Sequence, residues 1–142
     1  MARSVLRLVA LCGALALLSS CSHKAVVPGD PKTIVYENVK AMENEDLERV
    51  MATIDDQSEA FDQTKKLAER LFETYDLRYE LDSVRVLGQT ETEAKVECLQ
   101  TTRRVNGPAF RDNKIDIVHR LRNTDGYWRI YGSEIKRIEY LN

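Results

Sequence analysis

The stretch NKIDIVHRLRNTDGYWRIYG, residues 113–132, decides how this chain folds. Ile115, Ile117, His119 and Leu121 fall on one side of an extended segment; Asp116, Val118 and Arg120 fall on the other. That alternation marks a strand with one face against a core. Asp125-Gly126 follows, a strong short-range signal for a two-residue hairpin turn. Trp128 and Ile130 set the inward phase of a returning strand, Tyr127 to Tyr140, whose phase changes between Ile130 and Ile135. A two-residue turn pairs Thr124 with Tyr127, which puts His119 opposite Gly132 and Ile117 opposite Glu134. A longer turn puts His119 opposite Ile130. His119 faces inward either way.

Upstream of the hairpin the same period continues. Ala94, Val96 and Cys98 line one face of a strand that runs on through LQTTRRV, residues 99–105. Before it, Tyr79 and Leu81 alternate at odd positions and Val84 and Val86 at even ones. A β-bulge produces such a slip and bends a sheet. GQTE (88–91) and NGP (106–108) are turns, and the third strand is expected over Phe110–Asn123.

Ahead of the strands the period is helical. Asp30 is a good cap and Pro31 a good first helical residue. Ile34, Val35, Val39 and Met42 form one apolar stripe, and the polar run Glu43–Asp46 breaks it. Leu47, Val50, Met51 and Ile54 form a second stripe. Asp55–Ser58 is a loop, with Ser58 as candidate cap for a third helix that buries Phe61, Leu67, Ala68, Leu71, Phe72 and Tyr75. Three helices followed by a bent four-stranded antiparallel meander make an α+β domain with its helices on one side of the sheet.

The N-terminus belongs to a different process. Arg3 and Arg7 precede an apolar run, Leu8–Leu18, too short to span a bilayer, which is the pattern of a secretory signal. LSSC, residues 18–21, resembles the bacterial lipobox; the plainer reading is a cleavage site that a cysteine happens to follow. The resemblance implies a signal peptide over 1–20, acylation of Cys21, a tether over 21–30 and a domain over 31–142. Each buried methylene of an acyl chain contributes roughly 0.8 kcal/mol to membrane binding. The expected location is the cell membrane or outer membrane, facing the periplasm or exterior. Ser22 leans toward the outer membrane in a Gram-negative envelope, where an aspartate at that position favours inner-membrane retention.

With Cys12 gone and Cys21 acylated, Cys98 stands alone and no disulfide forms within the chain. The 122 residues from Cys21 onward carry a net charge of −4, which gives no reason to expect nucleic acid or an anionic membrane surface as partner. Two histidines, one of them in the tether (His23), make no metal cluster. There is no glycine-rich phosphate loop and no GxSxG elbow, and no cofactor is expected.

AMENEDLERVMATID (41–55), with its polar break before DLE, and NTDGYWRIYGSEI (123–135), with its turn leading into Trp-Arg-Ile, resemble the NTF2-like fold of nuclear transport factor 2, ketosteroid isomerase and SnoaL relatives. The resemblance implies a cone, with the helices and the concave sheet enclosing a tapering cavity. Enzymatic members place an acid, a histidine or a tyrosine there. His119 with Glu134 is the candidate acid–base pair; the plainer reading is a buried imidazole bonded to a carbonyl or water, with Glu134 at the rim. Isomerase chemistry needs a carboxylate base, and apart from Glu134 alternation sends none inward near His119, since Glu97 and Asp116 point out. Cys98, Ile117, His119, Trp128 and Ile130 are the candidate pocket residues, Cys98 as a small hydrophobe rather than a nucleophile.

On the outer face Val118, Tyr127 and Tyr131 lie with Arg120 and Arg129, a composition typical of interface centres and a candidate homodimer contact. An ordinary amphipathic surface is the alternative. The TTRR run with Arg111 is expected to be a solvated face. The leading expectation is a lipid-anchored, non-catalytic domain that binds a small apolar ligand or an envelope protein. The others are a ketosteroid-isomerase- or dehydratase-like enzyme using His119 as general acid/base, and a purely structural subunit.

Overall fold

Asp30 and Pro31 open the first helix as their chemistry dictates. In the computed structural model, which describes residues 29–141, the Asp30 carboxylate accepts from the Lys32 amide at 2.9 Å, and Pro31 already has helical dihedrals (φ −62°, ψ −18°). The segments expected to be a signal peptide and a tether, with Cys21, lie outside the described residues as far as residue 28. Helix α1 (Lys32–Glu43) ends at the expected polar break, where Glu45 takes a positive φ of 54°. The Asp46 carboxylate caps α2 (Leu47–Ala52) by accepting from the Arg49 amide at 3.0 Å.

After α2 the chain joins the sheet. Ile54 bridges Ile130 in parallel, with the Asp55 amide donating to the Ile130 carbonyl (2.9 Å) and the Ile130 amide to the Thr53 carbonyl (2.8 Å). Ser58 is not a helix cap. Its hydroxyl donates to the Tyr131 carbonyl at 2.8 Å, and α3 (Phe61–Thr74) starts after Ala60 with no side-chain cap. Ala68 is buried on α3, whereas Leu67, expected on the same face, is 55% exposed. Adjacent helical residues point about 100° apart, and the buried face of α3 is centred nearer Ala68, which leaves Leu67 at its solvent edge.

Strands β1 (Asp76–Gln89), β2 (Glu93–Asn106), β3 (Asn113–Thr124) and β4 (Tyr127–Tyr140) form one antiparallel sheet in sequence order. β3 begins three residues later than expected, and Phe110 instead packs edge-on against Tyr75, with ring centroids 5.5 Å apart. The phase slip in β1 is a bulge at Asp82, because Leu81 and Ser83 pair with consecutive residues of β2. β4 carries two more, at Tyr131 and Lys136. These extra residues curve the sheet around the helices. The Asp-Gly turn pairs Thr124 with Tyr127, and both turn residues have positive φ (57° and 85°), which a two-residue type I′ turn requires.

The concave face carries the core: Val35 and Ile54 pack with Ala94, Val96, Cys98, Leu121, Trp128 and Ile130. A second cluster, Ala41, Val50 and Ala68, joins the three helices. Val35, Val50 and Val96 are wholly buried, and such a side chain contributes roughly 1.5–3 kcal/mol. The Trp128 indole N–H donates to the Gly29 carbonyl at 2.8 Å, which fastens the entering chain to the hairpin end of the sheet. No helix among the described residues is long and apolar enough to cross a membrane.

Candidate functional site

One extra residue in β4 determines what faces His119. Ile130 pairs with Leu121 and Gly132 with Arg120, so Tyr131 is the bulge. Gly132 therefore faces outward, where a Cβ would come within 2.7 Å of Arg120 Nη2. Ser133 takes the inward place opposite His119, and Ile135 lies opposite Ile117. Neither expected partner of His119, Gly132 or Ile130, is correct, because the bulge falls earlier than those registers require. The His119 Nδ1 to Ser133 Oγ distance is 2.7 Å.

The same bulge removes the His119–Glu134 pair. Glu134 lies opposite Val118 on the outer face, its side chain 66% exposed and bonded to Lys136 Nζ at 2.7 Å. The Lys136 ammonium holds its carboxyl below the usual glutamate range. It cannot orient the imidazole from the other side of the sheet.

His119 instead lines a cavity of about 280 Å3 between the concave face and the helices. Ile117, Ile130 and Ser133 share its sheet wall, with Tyr79 and Gln100 from β1 and β2. Asn38, Met42, Val50 and Thr64 come from the helical side. Among the described residues no carboxylate, lysine or arginine lines it, and His119 is its one titratable base. Burial pushes His119 down to about 4, so the imidazole is neutral at neutral pH; the ring is enclosed by protein although the cavity leaves part of its surface accessible. Burial, and then the Glu45 carboxylate, push Tyr79 up to about 12, so its hydroxyl keeps its proton. The result is an uncharged, mainly apolar cavity with a few neutral hydrogen-bonding groups.

Of the five expected pocket residues, Ile117, His119 and Ile130 line this cavity. Cys98 and Trp128 share their face of the sheet but are packed into the core cluster with Val35 and Ile54. Burial pushes the Cys98 thiol up to about 11, which leaves it protonated and unreactive. Ser133 and Tyr79 were not singled out from sequence. The odd-numbered phase of Tyr79 and Leu81 carried the signal for Tyr79; Ser133 required the position of the bulge.

On the outer face, Val118 is 7% exposed and Arg122 stacks 3.7 Å from the centre of the Tyr131 ring. Of the three residues expected at a dimer contact, Tyr127 alone is exposed; Val118 is buried and Tyr131 is half-buried under Arg122. The TTRR run is not a plain solvated face either. Thr101 and Thr102 are buried, Thr101 Oγ1 donates to Asp82 at 2.8 Å, and Arg104 Nη1 donates to the Gly107 and Pro108 carbonyls at 2.9 Å each.

Comparison with known proteins supports this architecture. The family model described as "Anti-sigma-I factor RsgI9, C-terminal domain" matches residues 33–141. Anti-sigma-I factor RsgI9 of Acetivibrio thermocellus is 37% identical over 108 residues; the match spans 76% of this chain but 15% of that protein. An NTF2-like protein of unknown function from Pseudomonas putida superposes with a TM-score of 0.61 at 13% identity, covering 73% of this chain and 81% of the other. A ketosteroid isomerase-like protein from Erwinia carotovora atroseptica gives 0.56 at 18% identity, covering 79% and 95%. At these identities the two structures bear on the fold alone. The three helices, the curved antiparallel sheet and these matches identify an NTF2-like cone, and the chain belongs to the family of the anti-sigma-I factor RsgI9 C-terminal domain.

Proposed function

We propose that this chain is a lipid-anchored, non-catalytic binding module whose cone takes up a small apolar ligand or an apolar segment of an envelope protein. The observation that carries the reading is the cavity of about 280 Å3 with no charged side chain on its wall. At roughly 30 Å3 per water it has room for about nine waters, the small end of ligand sites. Asn38, Tyr79, Gln100, His119 and Ser133 supply the few polar contacts that orient a ligand in such a site. Ile135 and Ile138 continue the inward phase of β4 and are 56% and 44% exposed, which gives a longer ligand apolar contact past the cavity.

The relative supports a binding role. It is by name a regulator, and this domain forms its C-terminal part, so a module that senses or holds something is in keeping with that context. The anchor rests on LSSC and the apolar run before it. An isomerase- or dehydratase-like reaction through His119 would have to use a base pushed to about 4, with no carboxylate in the cavity and Ser133 as its neighbour. General bases work best near the operating pH, so this arrangement favours binding. The test is extraction. Protein purified from its own membranes should release close to one equivalent of an apolar compound on denaturation, and the Ile117→Trp chain should release little. Equal amounts from both, or turnover of a cavity-bound compound, would contradict the reading.

A further inference from the structure

A groove of about 520 Å3 lies on the outer face of the sheet, at the end where the β1–β2 and β3–β4 turns meet. Lys95, Arg120 and Arg122 line it with Leu87 and Tyr131, and Glu93 is the carboxylate on its wall. Lys95 stands directly opposite Arg120, whereas Arg122 stands between Glu93 on β2 and Arg129 on β4. Like charges facing each other across strands cost stability, so the fold itself does not account for Lys95 opposite Arg120. Among the described residues no carboxylate lies within ion-pair distance of Lys95, Arg120 or Arg122; nearby Glu97 is paired with Arg85 at 2.6 Å, and Glu134, bonded to Lys136, feels Arg120 and Lys95 only as weaker, more distant charges. Stacking on Tyr131 fixes the Arg122 guanidinium and leaves its N–H edge free to donate. Asp55, Asp56 and Asp125 share a neighbouring depression with Arg122 and Arg129, so the free cationic character centres on Lys95 and Arg120 with Arg122 at the border.

The point where the chain enters the domain determines what this groove meets. Gly29 is bonded to Trp128, the second residue of β4, at the same end of the sheet. The eight Cα–Cα steps from Cys21 to Gly29 reach at most about 30 Å. An acylated Cys21 therefore keeps this end of the sheet within about 30 Å of the bilayer, in reach of its surface. Leu87 and Tyr127, 47% and 68% exposed, lie at the same end and are suited to the headgroup boundary.

We propose that Lys95, Arg120 and Arg122 form a docking surface for the phosphate headgroups of the anionic bilayer that carries the lipid anchor, and so set the orientation of the cone on the membrane. The inference rests on the lipid-anchored reading above. Its test uses the polypeptide 22–142, which contains every described element and both core clusters but no acyl chain. At low salt it should co-sediment with vesicles of equal parts phosphatidylglycerol and phosphatidylcholine, and not with phosphatidylcholine alone. Arg120→Gln/Arg122→Gln should lower the partition at least about fivefold, Lys95→Gln should lower it by a smaller factor, and added salt should remove the difference. Equal binding to both kinds of vesicle, or an unchanged partition in the variants, overturns the proposal. So does binding to soluble polyglutamate without binding to vesicles, or release from vesicles by millimolar inorganic phosphate, which would make the groove an acidic-protein or free-anion site. Failure of lipid anchoring is read separately, from fractionation of the Cys21→Ser chain.

Discussion

Acidification should weaken this domain through His119 before its carboxylates titrate. The imidazole is neutral in the folded protein because burial pushes it down to about 4, against about 6.5 in the unfolded chain. Below 6.5 the unfolded state binds a proton that the folded state refuses. The stability this group contributes is therefore complete above about pH 6.5 and is lost as pH falls toward 4. Between about pH 7 and about pH 5 the loss comes to roughly 2 kcal/mol. In a domain of this size that lowers Tm by about 8 °C. Asp82 acts in the same direction but later: Thr101 and Lys114 hold its carboxyl below the usual aspartate range, so its contribution is lost at more acidic pH. The assay is thermal unfolding followed by circular dichroism at the two pH values, for wild type and for His119→Gln, which keeps a hydrogen bond to Ser133 without titrating. The variant should lose less than about 3 °C over the same interval. A wild-type Tm that does not move, or a variant that falls equally far, would refute the reasoning.

Other consequences follow from single contacts. Asp82→Ala strips Thr101 Oγ1 of its acceptor and Lys114 of its carboxylate and should cost about 1–3 kcal/mol in denaturant unfolding, whereas Arg85→Ala, at an exposed pair with Glu97, should cost under about 1 kcal/mol. Gly107→Ala puts a Cβ 2.7 Å from the Thr74 carbonyl oxygen at φ 110° and should cost more than about 2 kcal/mol; Gly132→Ala meets only the movable end of Arg120 and should cost under about 1 kcal/mol. Thermal melts of the pair decide whether those contacts are as rigid as described. Cys21→Ser should shift the protein out of the lipid-anchored membrane fraction and abolish acyl mass on the chain; unchanged partitioning would remove the anchor.

The alternation in residues 113–132 makes the hairpin, the inward side of His119 and the Asp-Gly turn legible in the sequence. The bulge at Asp82 was legible too, because Leu81 and Val84 break parity within three residues. The bulge at Tyr131 was not. A parity change between Ile130 and Ile135 says that one residue is extra and leaves its place open, and whether Gly132 and Glu134 or Ser133 and Ile135 take the inward places opposite His119 and Ile117 depends on that place. Cys98 and Trp128 show a second limit: parity tells which side of the sheet a residue takes and not whether a helix has closed over it. Charge shows a third. A net −4 is a sum over the chain, and it hides three cations that strand pairing brings to one end of the outer face.

The central claim is that the cone is an uncharged binding cavity. Titration with phenylnaphthylamine, a neutral apolar fluorophore, tests it most directly. Wild type should show saturable enhancement with one site per chain, and Ile117→Trp, which fills the cavity wall beside His119, should abolish it while unfolding at nearly the wild-type temperature. No saturable binding by wild type, or equal binding by the filled variant, would contradict the account.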